Sequence, residues 1–148
     1  MTTLPIPTRA MRITAASAAG TSALATFALS RVVWPDPPGA ITPSDDLLPY
    51  FLILSVVEAL FFGAGVAYAI VGAPVARHTA KPTRPAWALY VSVCFMLLSW
   101  WPHDNLHRVL DHHDFAGLAR IEYLFHVPLM AGAACVALYT LRARREAR

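Results

Sequence analysis

Residues Leu47–Ala76 read LLPYFLILSVVEALFFGAGVAYAIVGAPVA, and Glu58 is the one charged residue among them. A helix needs about 20 mostly apolar residues to cross a bilayer core. This stretch is long enough. In hydrocarbon no water satisfies the backbone, so an isolated spanning segment must be a helix. Three other stretches share its character. Met11–Trp34 is rich in Ala, Ser and Thr and is the least apolar of the four. Ala86–Trp101 carries no charge, and Phe115–Leu141 carries Arg120, Glu122 and His126 in its first half.

The expected fold is therefore an all-α integral membrane protein, a four-transmembrane-helix bundle forming one domain over residues 1–148. The spans cover about 11–34, 47–76, 86–101 and 115–141, and a basic tail follows at 142–148. Composition agrees. The 148 residues are 57% hydrophobic and 14% charged, with mean hydropathy +0.49. Soluble domains are about 25% charged, and disordered chains are poor in apolar residues. The pI near 9.2 does not indicate nucleic-acid binding, because the basic residues sit at span ends rather than on one face. Cys94 and Cys135 lie in apolar runs, form no CxxC motif and read as buried small hydrophobes.

Turn signals separate the spans. Pro35-Asp36-Pro37-Pro38-Gly39 ends the first, and Pro74, Pro82 and Pro85 mark the second connection. The third connection opens at Pro102. From His103 to Asp114 it is polar, yet Leu106, Val109 and Leu110 recur at helical spacing. A short amphipathic helix or a kinked extension of the third span is expected there. The first span has the charged start and the small-x-small Ala23-Leu24-Ala25 of a signal peptide. It runs longer than a usual signal core, so a retained helix is expected.

Basic residues set the orientation. Arg9, Arg12, Arg77, Lys81, Arg84, Arg142, Arg144, Arg145 and Arg148 make nine on one side, against Arg31, Arg108 and Arg120 on the other. Both termini are then cytoplasmic in a cell membrane, and the His103–Asp114 connection faces outward. The basic tail rests on anionic headgroups, and His78 reads as a headgroup contact. Small residues at spacing four mark packing faces: Ala59, Gly63 and Ala67; Ala16 and Gly20; and Gly132, Ala133 and Ala137. Such faces suit contacts within the bundle, a homo-oligomer or other membrane subunits. Membrane lipid is the surrounding partner, and no nucleic acid is expected.

Five of the six histidines, His103, His107, His112, His113 and His126, fall in one window with Asp104, Asp111, Asp114 and Glu122. His103 and His107 are four apart and share a helical face, as do Glu122 and His126. Two such pairs on neighbouring helices can converge on a transition metal ion, Zn, Cu or Fe. The expected metal ligands are His103, His107, Glu122 and His126. At 1.5 Å per residue His126 lies roughly 16 Å along its helix, and Glu58 reaches about the same depth from Leu47. Ionisable groups at that depth are costly unless paired. Glu58, Glu122 and His126 are thus expected to meet as catalytic groups, with Glu58 and His126 as partners. Asp104 and Asp111 read as groups that orient imidazoles, His112 and His113 as mostly solvent-facing, Met130 as packing, and Trp100 and Trp101 as an aromatic belt.

Each functional reading has a plainer rival. His103 and His107 suit a solvated loop, Glu122 and His126 a structural hydrogen bond, and Glu58 a buried carboxyl bonded to a neighbour. Phosphate loops and GxSxG are absent. The histidine boxes of membrane hydroxylases are not reproduced, since HxxxH occurs once and His112-His113 has the wrong spacing. Three functions follow as expectations. The first is an outward-facing metal site activating water or oxygen, or polarising a lipid-soluble or small substrate. The second is metal-free, isomerase-like acid–base chemistry on a lipid. An apolar cavity ending at Glu58, Glu122 and His126, with His103 and His107 pointing away, favours it. The third is a non-catalytic subunit of a larger membrane complex.

Overall fold

The computed structural model describes residues 9–77, 84–110 and 114–146. Apart from residues 34–47 and Asp114 they are helical, with no strand among them. The helices are α1 (Arg9–Val33), α2 (Leu48–Arg77), α3 (Arg84–Leu110), α4 (Phe115–Ile121) and α5 (Val127–Glu146). A π-turn, Glu122–His126, joins α4 to α5. Four stretches are long and apolar enough to cross a membrane: Arg9–Val33, Leu48–Pro74, Pro85–Leu110 and Phe115–Leu141. The chain is an all-α four-helix membrane bundle.

The third span is longer than expected. α3 passes through Pro102 and continues to Leu110. A proline removes one N–H from the ladder, here the donor to the Leu98 carbonyl. Membrane helices tolerate this because neighbouring groups re-satisfy the freed carbonyl. The expected amphipathic segment is thus the end of α3 rather than a separate element. Lys81, Pro82, His78, Asp111, His112, His113 and Arg148 lie outside the described residues.

Along α3 the buried residues Val93, Leu97, Trp100 and Asp104 follow one another at steps of four, three and four, which is one helical face. Val93 and Leu97 pack with Tyr68, Ala133 and Ala137 in one core cluster. Trp100 packs with Leu54 and Met130 in a second. Met130 is packing, as expected. Leu24, Leu60, Phe95, Leu124 and Tyr139 point outward, suiting a surface that meets acyl chains rather than water. Cys94 is half-buried and Cys135 exposed, so neither is the buried hydrophobe expected.

α2 packs against both α1 and α3, and α5 closes against α3 and α2. Close approach depends on small residues. A Cβ on Gly63 would collide with the backbone carbonyl of Ala19 and lie 3.0 Å from the Ala23 Cβ. Gly65 faces Leu97 and Leu98, and Gly72 faces the Tyr90 ring. The contact face of α1 is therefore Ala15, Ala19 and Ala23, one residue round from the expected Ala16 and Gly20, which are exposed. Gly132 likewise meets nothing, whereas Ala133 and Ala137 are buried.

Gly63→Ile is expected to push α1 off α2, because the obstacle is backbone and cannot rotate away. Overpacking of this kind costs about 1–3 kcal/mol. Gly20→Ile is the matched control and should change stability little. Detergent-titrated unfolding followed by circular dichroism measures both, and equal stability of the two variants would refute the contact.

Candidate functional site

Three carboxyl side chains meet where α2, the end of α3 and the π-turn come together. Glu58 is 3% exposed, Asp104 7% and Glu122 0%. Asp104 lies beside both of the others and interacts electrostatically with each. Its Oδ1 is buried, and no N–H or O–H donor reaches it. An ionised carboxyl has only acceptors, so two carboxyls form a hydrogen bond only with a proton between them. Three acids packed in one buried site titrate as a linked set rather than one by one.

Glu122 is held from the other side. Trp100 donates its Nε1–H to Glu122 Oε2 at 2.7 Å. His126 Nδ1 lies 2.7 Å from Oε1. The π-turn that carries this pair has a local cause in the sequence. Pro128 has no N–H for the Leu124 carbonyl, and its ring would crowd that carbonyl in a regular helix. The chain widens by one residue, so that the Val127 N–H reaches the Glu122 carbonyl. Tyr123, also in the turn, donates its hydroxyl to the Tyr50 carbonyl at 2.7 Å and ties the turn to α2.

Glu58 and Asp104 line a cavity of about 350 Å³. Its walls include Phe27, Phe51, Leu52, Leu54 and Phe115. That volume falls in the range of small-molecule sites, which are mostly apolar with a few placed polar groups. The rim is polar and cross-tied. Arg31 and Arg108 both pair with Asp36. Arg108 also donates to the Trp34 carbonyl at 2.6 Å. Trp101 Nε1 donates to Ser30 Oγ, which donates to Asn105 Oδ1, while Asn105 Nδ2 donates to the Trp101 carbonyl. These bonds fasten the end of α1 to the end of α3 above the acids.

The expected metal centre is not there. Among the described residues, no group of three or more His, Cys, Asp or Glu side chains is arranged to hold a metal ion. Glu122 is bonded to Trp100 through one oxygen and to His126 Nδ1 through the other. His103 and His107 are exposed and lie edge to face, ring centroids 4.5 Å apart. His103, His107, Glu122 and His126 therefore do not form a Zn, Cu or Fe site, and the metal-dependent reading built on them falls.

Other expectations need correction. Glu58 and His126 are not partners, because Asp104 and Glu122 stand between them. Asp104 is a member of the acid cluster rather than an orienting group for imidazole. Trp100, 2% exposed, belongs to the core and not to an aromatic belt. Asp104 and Trp100 had a readable signal: they extend the buried α3 stripe of Val93 and Leu97, provided the helix is continued through Pro102. Compared with family models, curated proteins and solved structures, the chain has no match in any of the three.

Proposed function

We propose that this protein carries out metal-free acid–base chemistry on a small lipid-soluble substrate held in the cavity, of the kind that moves a double bond. Glu58 and Asp104 are the acting pair. One carboxyl gives a proton to a substrate carbon, and its neighbour removes one from a carbon further along. Substrate and carboxyl pair each keep their composition. Glu122, fixed by Trp100 and His126, supports Asp104 from behind. The observation that carries this reading is the floor of the cavity, where an acceptor with no donor, Asp104 Oδ1, lies beside Glu58 among apolar walls. His103 and His107 do not line that cavity, as this reading requires.

The charge distribution supports an orientation with both termini cytoplasmic and the cavity in the outer half of the membrane. The test is isotopic. The full-length protein is reconstituted in vesicles made from a total extract of its own membrane lipids, and D₂O replaces water. Mass spectrometry of the extracted lipids should show carbon-bound deuterium gained in one lipid class with wild type and not with Glu58→Gln. If no lipid gains carbon-bound deuterium over protein-free vesicles, the reading is wrong.

A further inference from the structure

Three imidazoles lie beyond Glu122 on the side away from the cavity, and the acid–base reading gives His103 and His107 no task. His107 and His103 are exposed, one turn apart on α3, with ring centroids 4.5 Å apart. The His103 ring is 5.4 Å from that of His126. His126 Nδ1 meets Glu122 Oε1 at 2.7 Å. Glu122, Asp104 and Glu58 are all buried and interact electrostatically in turn, and Asp104 and Glu58 line the cavity. Every member can take up and release a proton. The His126–Glu122 pair is a direct hydrogen bond, the acids interact side by side, and the His103 ring lies edge to face with both other imidazoles.

We propose that His107, His103, His126, Glu122 and Asp104 form a proton relay that starts at the exposed histidines and ends at Glu58. The purpose assigned to it rests on the acid–base reading of the cavity; its geometry does not. A lipid-soluble occupant excludes water from the cavity floor. Glu58 then has no route to bulk water through the cavity while the occupant remains. The relay supplies one from the other side. A hydrated proton adds to the His103–His107 pair and passes to His126. An imidazole can accept on one nitrogen and release from the other. His126 gives its Nδ1 proton to Glu122, Glu122 gives one to Asp104, and Asp104 gives one to Glu58. Only N–H and O–H bonds form and break, and the charge travels with the proton. Chains of His and acidic groups inside membrane helices commonly serve this purpose.

The experiment follows hydrogen–deuterium exchange of the buried carboxyls by time-resolved infrared spectroscopy. It uses the full-length protein in phosphatidylcholine vesicles switched from H₂O to D₂O. The protonated-carboxyl band is assigned by its loss in Glu58→Gln or Asp104→Asn. In wild type its deuterium shift should be fast. Glu122→Gln keeps an acceptor for Trp100 but cannot pass a proton, and should slow the shift at least tenfold. His126→Phe should do the same, and His103→Ala with His107→Ala should slow it less. Circular dichroism and Trp100 fluorescence check that each variant is folded. If Glu122→Gln does not fold, His126→Phe decides. Unchanged exchange in the folded variant overturns the relay, because protons then arrive through the cavity mouth. Absence of any such band in wild type also overturns it. Slowed exchange without deuterium in any lipid keeps the relay and removes the acid–base reading; the reverse pattern removes the relay alone.

Discussion

Glu58→Gln is expected to lower deuterium incorporation into the substrate lipid by about 10²–10⁴-fold, the usual contribution of a positioned general acid or base. The fold should survive the change, and this makes the variant informative. Glu58 is almost fully buried beside Asp104, whose Oδ1 has no donor. A glutamine keeps the shape and offers an amide N–H to that oxygen. Removing one acid from a crowded buried set also relieves electrostatic cost, since replacing buried ionisable groups is often neutral or stabilising. Activity and stability should therefore move in different directions. A variant with wild-type turnover would show that Glu58 is a packing residue. A variant that lost activity together with its helical signal would leave Asp104→Asn as the comparison, with the same expected loss of turnover.

Glu122→Ala is expected to be the most destabilising polar substitution, by about 2–4 kcal/mol, whereas Glu122→Gln should cost less than about 1 kcal/mol. Two opposing effects decide the sign. Alanine leaves the Trp100 Nε1–H and His126 Nδ1 without their partner in a site that is 0% exposed, and it opens a void between α3 and α5. An unsatisfied buried polar group costs about 1–3 kcal/mol. Against this, one acid fewer lies beside Asp104. That gain neither restores the two lost hydrogen bonds nor fills the void. Glutamine retains a carbonyl for Trp100 and avoids the void. Reversible unfolding in mixed micelles, with tryptophan emission as the signal, separates the two variants. Equal stability of alanine and glutamine would show that the Trp100–Glu122–His126 contact is incidental.

The four spans were legible because lipid imposes a one-dimensional requirement: enough apolar residues in a row. The second and fourth were evident from Leu47–Ala76 and Phe115–Leu141 alone. Rotation about the helix axes was less legible. The small-residue faces place α1 against α2 through Ala15, Ala19 and Ala23, yet Ala16 and Gly20 read equally well, since alanines are frequent on every side of that helix. Glu58, Glu122 and His126 were identifiable as costly groups at one depth. Their pairing was not, because it depends on Asp104, and the position of Asp104 depends on α3 continuing through a proline. The π-turn had one visible cause in Pro128, but a proline there is compatible with a kink, a break or a widened turn. The metal expectation failed for a related reason. Spacing of four places two side chains on one face but does not say which neighbours they meet: Glu122 bonds to Trp100 and His126, while the His103 and His107 rings lie edge to face with each other.

The fastening of α1 to α3 bears on how anything reaches the acids. α1 lies along α2, and its C-terminal end is joined to α3 through Ser30, Trp34 and the Arg31–Asp36–Arg108 contacts. It is hung like a panel, hinged along one edge and latched at one corner. The latch is partly exposed, so ions and lipid headgroups compete with it. Both arginines converge on a single carboxylate, and without Asp36 they repel each other. That corner lies at the edge of the cavity, which α1, α2 and α3 line together, so one partly exposed cluster of charges governs how firmly the edge is held.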